Sequence, residues 1–322
     1  MLLPTMELND FLTENGILFE KNVALSKKSW IKTGGICNYW ISPDTISMLE
    51  KLCRYLYEEN LFFEVVGQTS NIFFHSSYNP QIIISTIGVK GYEIKDNVLT
   101  CDCGCNVAKL ARECMSLGYA GFSGLTSLPG TVASAAINNA GCFDCSISSM
   151  LISANVLMSD GSIRVITKNE FNYEKRTSAF KKGELKGVLL SLRLQLMKAQ
   201  NIEDEIRKSD AAKEYRKQKQ EGPNRNLGSV FAKLKKRNNI KNKIAFLITK
   251  ISASLHIGES QRLKKKLLLR FYGYVDLDRY ISDKQINTFI WRDTDAEAKF
   301  VRYKEFMSRV YDNLVQEIEE RK

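Results

Sequence analysis

Two short stretches of this 322-residue chain combine residue types that suit close contact between backbone and ligand. The first is Gly67-Gln68-Thr69-Ser70-Asn71, set between apolar runs at 62–66 and 72–74. Small side chains leave backbone N–H groups accessible, and successive amides at such a turn form a nest for an anion such as a diphosphate. The same residues also make an ordinary tight turn that needs no ligand. The second stretch, residues 128–141, reads LPGTVASAAINNAG and carries no charge and little bulk. Small side chains there let a helix N-terminus approach a phosphate or a flat ring. A closely packed buried helix accounts for the composition equally well. Eight cysteines and two histidines offer a third possibility, a metal. The spacing argues against it: Cys142 and Cys145 form a lone CxxC, and no second pair completes a four-ligand set. Cys101, Cys103 and Cys105 alternate as on a strand and read as small buried apolar residues.

The elements that must hold these stretches follow from apolar periodicity. Ile46, Leu49, Leu52, Cys53 and Leu56 predict a helix over 42–60. Residues 107–117 predict a second, ending near Gly118. Strands are expected at 62–66, 72–74, 81–86 and 98–103. More are expected within 150–198 around the Ser159-Asp160-Gly161 turn, 188–196 being the clearest. A long charged helix is expected over 202–220. A final helix is expected over 295–317, with Phe300, Val301, Tyr303, Phe306 and Val310 as its core stripe. Helices and strands intersperse without a regular βαβ rhythm, which points to an α+β fold.

No apolar run reaches the length of a membrane span. The N-terminus, MLLPTMELNDFL, lacks a basic region followed by an apolar core, so we expect no signal peptide and a reducing cytoplasmic setting. The net charge of +11 is concentrated. Residues 231–270 hold 12 Lys and Arg against one acid, which accounts for all of it. One basic block in an insertion-like stretch is not the footprint of a nucleic-acid-binding domain. Around Ile244-Ala245-Phe246-Leu247-Ile248 the reading is a core helix with a solvated basic face. Peripheral contact of 241–270 with an anionic membrane surface stays open as an alternative.

Taken together, the two small-residue stretches, with three further motifs in the same order, resemble the UDP-N-acetylenolpyruvoylglucosamine reductase (UDP-N-acetylmuramate dehydrogenase, MurB) family. Ser29-Trp30-Ile31-Lys32-Thr33-Gly34-Gly35 resembles that family's opening Thr-x-x-Lys-Thr-Gly-Gly strand. Gly67-Gln68-Thr69-Ser70-Asn71 resembles its Gly-x-Gly-Ser-Asn phosphate loop. Leu128-Pro129-Gly130-Thr131-Val132 and Asn139-Ala140-Gly141 resemble its Ile-Pro-Gly-Thr-Val…Asn-Ala-Gly segment. Arg176-Thr177-Ser178-Ala179-Phe180 and Leu227-Gly228-Ser229-Val230-Phe231 resemble its two later motifs, the second of them catalytic. Residues 232–322 match loosely.

The resemblance implies a two-part FAD-binding module of the vanillyl-alcohol-oxidase/PCMH type plus a C-terminal α+β substrate-binding domain. We expect FAD-binding subdomains at 1–88 and 89–200 and a substrate domain at 201–322. It implies non-covalent FAD and NADPH as reductant. The reaction would reduce the enol ether of UDP-N-acetylglucosamine enolpyruvate to UDP-N-acetylmuramate, for peptidoglycan or another surface glycan. Hydride adds to the β-carbon and a proton to the carbon bearing the carboxylate, through an enolate-like species that needs stabilisers and a proton donor. By resemblance Ser229 donates the proton, Arg176 binds the carboxylate and Glu317 polarises the site. Lys219 stands for the family's Lys-Gln-Pro lysine, with Lys217 as rival. FAD would be held by Gly67, Gln68, Thr69, Ser70, Asn71, Pro129, Gly130, Thr131, Ser134, Asn139 and Gly141. Lys175 replaces the family's substrate-side tyrosine, and Ala133-Ser134-Ala135 replaces its Gly-Gly-Ala. No Tyr-bearing insertion separates Phe180 from Gly187, as in the shorter subtype. His75 and His256 lie away from positions expected for a covalent flavin link. Two other readings stay open: a flavoprotein acting on a different nucleotide sugar, and a binding paralogue without turnover.

Overall fold

Leu49, Leu52, Cys53 and Leu56 repeat at helical spacing, and in the computed structural model they form the buried face of the helix Ile46–Glu58. Its start is set by Thr45, whose side chain accepts from the Met48 amide. Asn106 caps Val107–Ser116 in the same way, which fixes where each helix begins. The structure describes residues 7–222, 225–255 and 260–322. Met1–Met6 of the N-terminal reading and His256 therefore lie outside the described residues.

The chain divides into two units. One comprises Met1–Lys27, Gly35–Ser70 and Tyr78–Lys213; the other comprises Lys28–Gly34, Asn71–Ser77 and Glu214–Lys322. The first unit holds a four-stranded sheet, a five-stranded sheet and the short pair Gly141–Cys142 with Cys145–Ser146. In the four-stranded sheet Leu18–Ala24 runs antiparallel to Ile36–Ser42, and Ile82–Ser85 and Glu64–Val66 follow in parallel. The five-stranded sheet is antiparallel throughout, in the order Ile163–Thr167, Leu151–Leu157, Val188–Gln195, Val98–Asp102, Tyr92–Lys95. One apolar core joins them, with Leu52, Ile84, Cys101, Val132, Ala136 and Leu192 all buried. Six of the eight cysteines are buried thiols.

In the second unit short strand pairs surround a core of Phe73, Val230, Phe289, Trp291, Phe300 and Tyr303. Asn226–Ser229 pairs antiparallel with Thr288–Ile290, Lys235–Lys236 with Tyr311–Asp312, and Glu319–Arg321 lies parallel to Ile72–Phe74. The fold class is α+β, as expected.

Four expectations are corrected. The last helix is Ala296–Val310, not a run to 317, because Tyr311–Asp312 leaves it to pair with Lys235–Lys236. Val301 is 48% exposed and outside the core stripe, whose place Met307 takes. The strand expected from residue 62 begins at Glu64, leaving Phe62 exposed. The basic segment forms Ile240–Leu255 and Ser260–Tyr272, and the first of these turns Asn242, Ala245 and Thr249 inward while Ile244, Leu247 and Ile248 are exposed. Among the described residues no helix is long and apolar enough to cross a membrane.

Candidate functional site

In the first unit the two small-residue stretches meet. Gln68 Oε1 accepts from the Gly130 amide at 2.8 Å. A Cβ on Gly67 would stand 2.6 Å from Thr131 Oγ1, so only glycine permits this approach. Gly130 has φ +118° and sits between two hydroxyls, with a Cβ there 3.2 Å from Ser134 Oγ and 3.5 Å from Ser70 Oγ. Thr69 adopts φ +54°, which curls the loop as a nest requires. The amides of Gln68 and Ser70 find no acceptor among the described residues.

The helix in the second stretch is only Val132–Ile137, and its first amides are already used. Val132 N donates to Cys105 O at 2.9 Å, Ala133 N to Cys103 O at 3.2 Å, and Thr131 and Ser134 cap each other. The donors that remain for an anion therefore lie on the 67–70 loop rather than at the helix start. Pro129 is exposed beside it.

A cleft of about 650 Å³ opens on this junction, lined by Gly67, Thr131, Ala133 and Ser134 together with Tyr57, Phe62, Thr86, Cys103, Ile137 and Leu189. Among the described residues its walls carry no carboxylate, lysine, arginine or histidine. Burial pushes the Cys103 thiol up to about 12, so this sulfur is no nucleophile. The cleft can bind by shape, hydroxyls and amides, and it contains no acid or base for proton transfer at neutral pH.

Asn139 and Arg176 are linked through the backbone. Asn139, at φ +44°, donates to Glu174 O at 2.6 Å and accepts from Ser148 at 2.5 Å. Buried Ser178 donates to Ile137 O at 2.6 Å. Glu174 and Thr177 exchange two backbone bonds, which puts Lys175 and Arg176 at the tip of a tight turn. Lys175 is exposed there, and Arg176 is half-buried with φ +61°. Both polar ends of Asn139 are thus used, one bracing this turn and the other held by Ser148. Gly141 is required by a different contact, since its Cβ would meet Cys145 O at 2.6 Å.

In the second unit Glu317 pairs across a strand with Val230, the residue that follows Ser229. Ala232 N donates to Val315 O, Phe231 pairs with Gln316, and Glu317 N donates to Val230 O at 2.8 Å. Gly228 at φ +72° and a register shift before Ser229 re-aim that strand end. Glu317 is half-buried in this pairing rather than a solvated tail. Asn71 belongs to the same cluster: its side chain donates to Glu317 O at 3.2 Å, and its carbonyl accepts from Glu319 N at 2.9 Å. Lys219 ends the helix Ile202–Lys219 and is exposed, as is Lys217. No hydrogen bond or ion pair joins Lys219 to Ser229 or Glu317 among the described residues. Lys284 caps this helix end, donating to Lys217 O and Gln220 O.

An FAD binding domain family matches residues 38–167. The UDP-N-acetylenolpyruvoylglucosamine reductase of Caldicellulosiruptor saccharolyticus is 26% identical over 226 residues, 70% of this chain and 73% of that one. The reductase of the same name from Enterococcus faecalis is 27% identical over 219 residues, 68% of this chain and 72% of its own. The crystal structure of the Thermus caldophilus UDP-N-acetylenolpyruvylglucosamine reductase shares the fold, with a TM-score of 0.66 over 94% of this chain and 99% of that one at 19% identity. Over about two thirds of its length the chain is similar to the UDP-N-acetylenolpyruvoylglucosamine reductase family.

The residues present fit the flavin this family implies. Gly67 and Gly130 leave a cradle that any Cβ would fill, two loop amides await an acceptor, and the cleft volume suits a cofactor. Asn138, one residue past the cleft-lining Ile137, buries an amide oxygen that no donor reaches among the described residues.

Sequence reasoning missed Tyr57, Phe62 and Thr86, which reach the cleft from elements read only as scaffold. It also missed His75. Both ring nitrogens of this 9% exposed histidine meet carboxylates, Nδ1 with Glu297 at 2.8 Å and Nε2 with Glu320 at 2.9 Å. Burial opposes the Glu320 charge, but the hydrogen bonds from Lys304 and His75 prevail and hold its carboxyl at about 2. This cluster pins Glu319–Arg321, just after Glu317, to Ile72–Phe74. No local spacing could have found it, because its partners lie 222 and 245 residues away in the chain.

Proposed function

We propose that this chain is a divergent member of that reductase family and reduces the enolpyruvyl ether of UDP-N-acetylglucosamine to UDP-N-acetylmuramate with NADPH, in the cytoplasm. Bound FAD supplies hydride transfer from the nicotinamide to the enolpyruvyl β-carbon. The residues that hold it are Gly67, Gln68, Thr69, Ser70, Gly130, Thr131 and Ser134. Asn71, Pro129, Asn139 and Gly141 shape the segments on either side. Ser229 donates the proton to the carbon bearing the carboxylate. Glu317, held one residue away across the strand pair, polarises that hydroxyl. Arg176 takes the carboxylate, where hydride addition builds negative charge. Lys175 and Lys219 contact the rest of the substrate.

The observation that supports this reading is the pairing of 230–232 with 315–317, which sets Glu317 against Val230, the residue next to Ser229, although the two are far apart in sequence. The uncharged cleft of the first unit complements it, since a site without acids or bases leaves the proton to another group. A test follows directly. The purified protein is expected to be yellow, to bleach anaerobically with NADPH, and to regain colour on adding the enolpyruvyl sugar. Ser229→Ala should keep the colour and the bleaching and slow its return by about 10²- to 10⁴-fold. Unchanged recovery in that variant would remove Ser229 from the reaction.

Lys175 favours a second reading, a related nucleotide sugar as substrate. A cation stands exposed at the turn tip where the family carries a tyrosine. Reoxidation by another UDP-sugar, with none by the enolpyruvyl compound, would select it.

A further inference from the structure

The helix Ile240–Leu255 has its burial reversed. Ile240 is 75% exposed, Ile244 47%, Leu247 58%, Ile248 40% and Ile251 55%. Among the described side chains, those turned inward are Asn242, Ala245 and Thr249, each 3% exposed or less. At 3.6 residues per turn the five exposed aliphatic residues fall within an arc of about 100°, opposite the inward face. Their position is not a matter of loose packing. Asn242 Nδ2 donates to Arg237 O at 2.9 Å and to Val310 O at 2.7 Å, and Tyr272 donates to Asn242 Oδ1. Rolling the helix to bury the isoleucines would break all three bonds.

The surroundings of the stripe say what covers it. Lys241 flanks one side, and Lys243 and Lys250 the other. Residues 231–250 carry seven Lys and Arg and no acid, and all seven are exposed. A second copy of this chain would bring the same positive charges face to face. A surface with an apolar layer beneath negative headgroups matches both the stripe and its flanks. We propose that Ile240–Leu255 docks this protein on an anionic membrane surface, lying in the interface plane with its aliphatic stripe below the headgroups and the lysines among the phosphates.

The test is co-sedimentation of the full-length, flavin-loaded protein with vesicles. Binding is expected to phosphatidylglycerol-containing vesicles and not to pure phosphatidylcholine, and it should weaken as salt rises. Leu247→Ser and Ile251→Ser should each weaken it about tenfold, from the apolar area each side chain buries. Lys241→Gln, Lys243→Gln and Lys250→Gln should each cost roughly fivefold. Retained flavin colour in every variant shows that these exposed substitutions leave the fold intact. Absence of binding, equal binding to neutral vesicles, or binding that the variants leave unchanged would overturn the proposal. So would a concentration-dependent dimer in sedimentation velocity that Leu247→Ser abolishes, which would make the stripe a contact between copies.

Discussion

The two units of this chain position their candidate residues with opposite materials. The first builds its cleft from glycines, hydroxyls and amides over a continuous apolar core, and no ionised side chain lines it. The second holds its candidate residues with charge. His75 bridges two glutamates, and Lys265, only 3% exposed, meets Asp278 at 2.9 Å, Asp283 at 2.6 Å and two backbone carbonyls. A site that must accept a large flat cofactor is limited by space, so its sensitivity is steric. The residues proposed to supply and polarise a proton, Ser229 and Glu317, would be limited by electrostatics, so their sensitivity should be to charge and pH.

The largest effect should come from Lys265. Its ammonium occupies a position where four oxygens converge, and removing it leaves two carbonyls and Asp278 without their cation and Asp283 with Arg262 alone, at 3.6 Å. Lys265→Ala is expected to destabilise the second unit by about 3 kcal/mol, measured by urea unfolding. Lys265→Met restores the volume without the charge. If Met recovers the stability, packing rather than electrostatics holds this unit, and the contrast fails.

Gly67 gives the matching steric test. Gly67→Ala puts a methyl 2.6 Å from Thr131 Oγ1, and Thr131 is 1% exposed and cannot yield. Overpacking of about 2 kcal/mol corresponds to roughly 30-fold weaker flavin retention. The readout is flavin released on gel filtration, and no dependence on pH is expected between neutral and mildly acidic buffer.

For His75 the pH dependence has a definite sign. The Glu320 carboxyl falls from its ordinary 4.5 to about 2 in the folded protein, and Glu297 is also lowered. Such groups contribute stability that is complete above about pH 4.5 and lost as pH falls through about 2. Acid unfolding of the second unit should therefore occur in that window. His75→Gln keeps one of the two hydrogen bonds to the glutamates, costing about 1.5 kcal/mol. It should also move the acid midpoint upward. An unmoved midpoint would mean that Lys304 alone sets the Glu320 carboxyl.

The same contrast governs what the sequence made legible. Apolar spacing located the helices Ile46–Glu58 and Val107–Ser116, and small residues marked both halves of the cleft, because these features depend on neighbours close in the chain. The end of the last helix was misplaced because residues 311–317 have no strong breaker. Their departure from the helix comes from pairing with 230–236, a tertiary effect that local propensity does not contain. The basic helix shows the limit of composition. Its isoleucines and leucine read as core, yet Asn242, bonded to Val310 O and Tyr272, decides which face turns inward.

The smallest expected effect lies at Ser134, where the resemblance leads one to expect glycine. Its hydroxyl accepts from the Thr131 amide at 3.1 Å and donates to Thr131 O at 2.8 Å, closing the short helix that carries the cleft wall. Ser134→Ala removes this cap and should cost about 1 kcal/mol of stability. Ser134 also lines the cleft, so the two roles separate by measurement. If flavin affinity falls no further than stability predicts, about fivefold, the serine substitutes for a small residue by stiffening the turn. A loss well beyond that makes the hydroxyl a direct contact, and the steric character assigned to the first unit would then include at least one specific hydrogen bond.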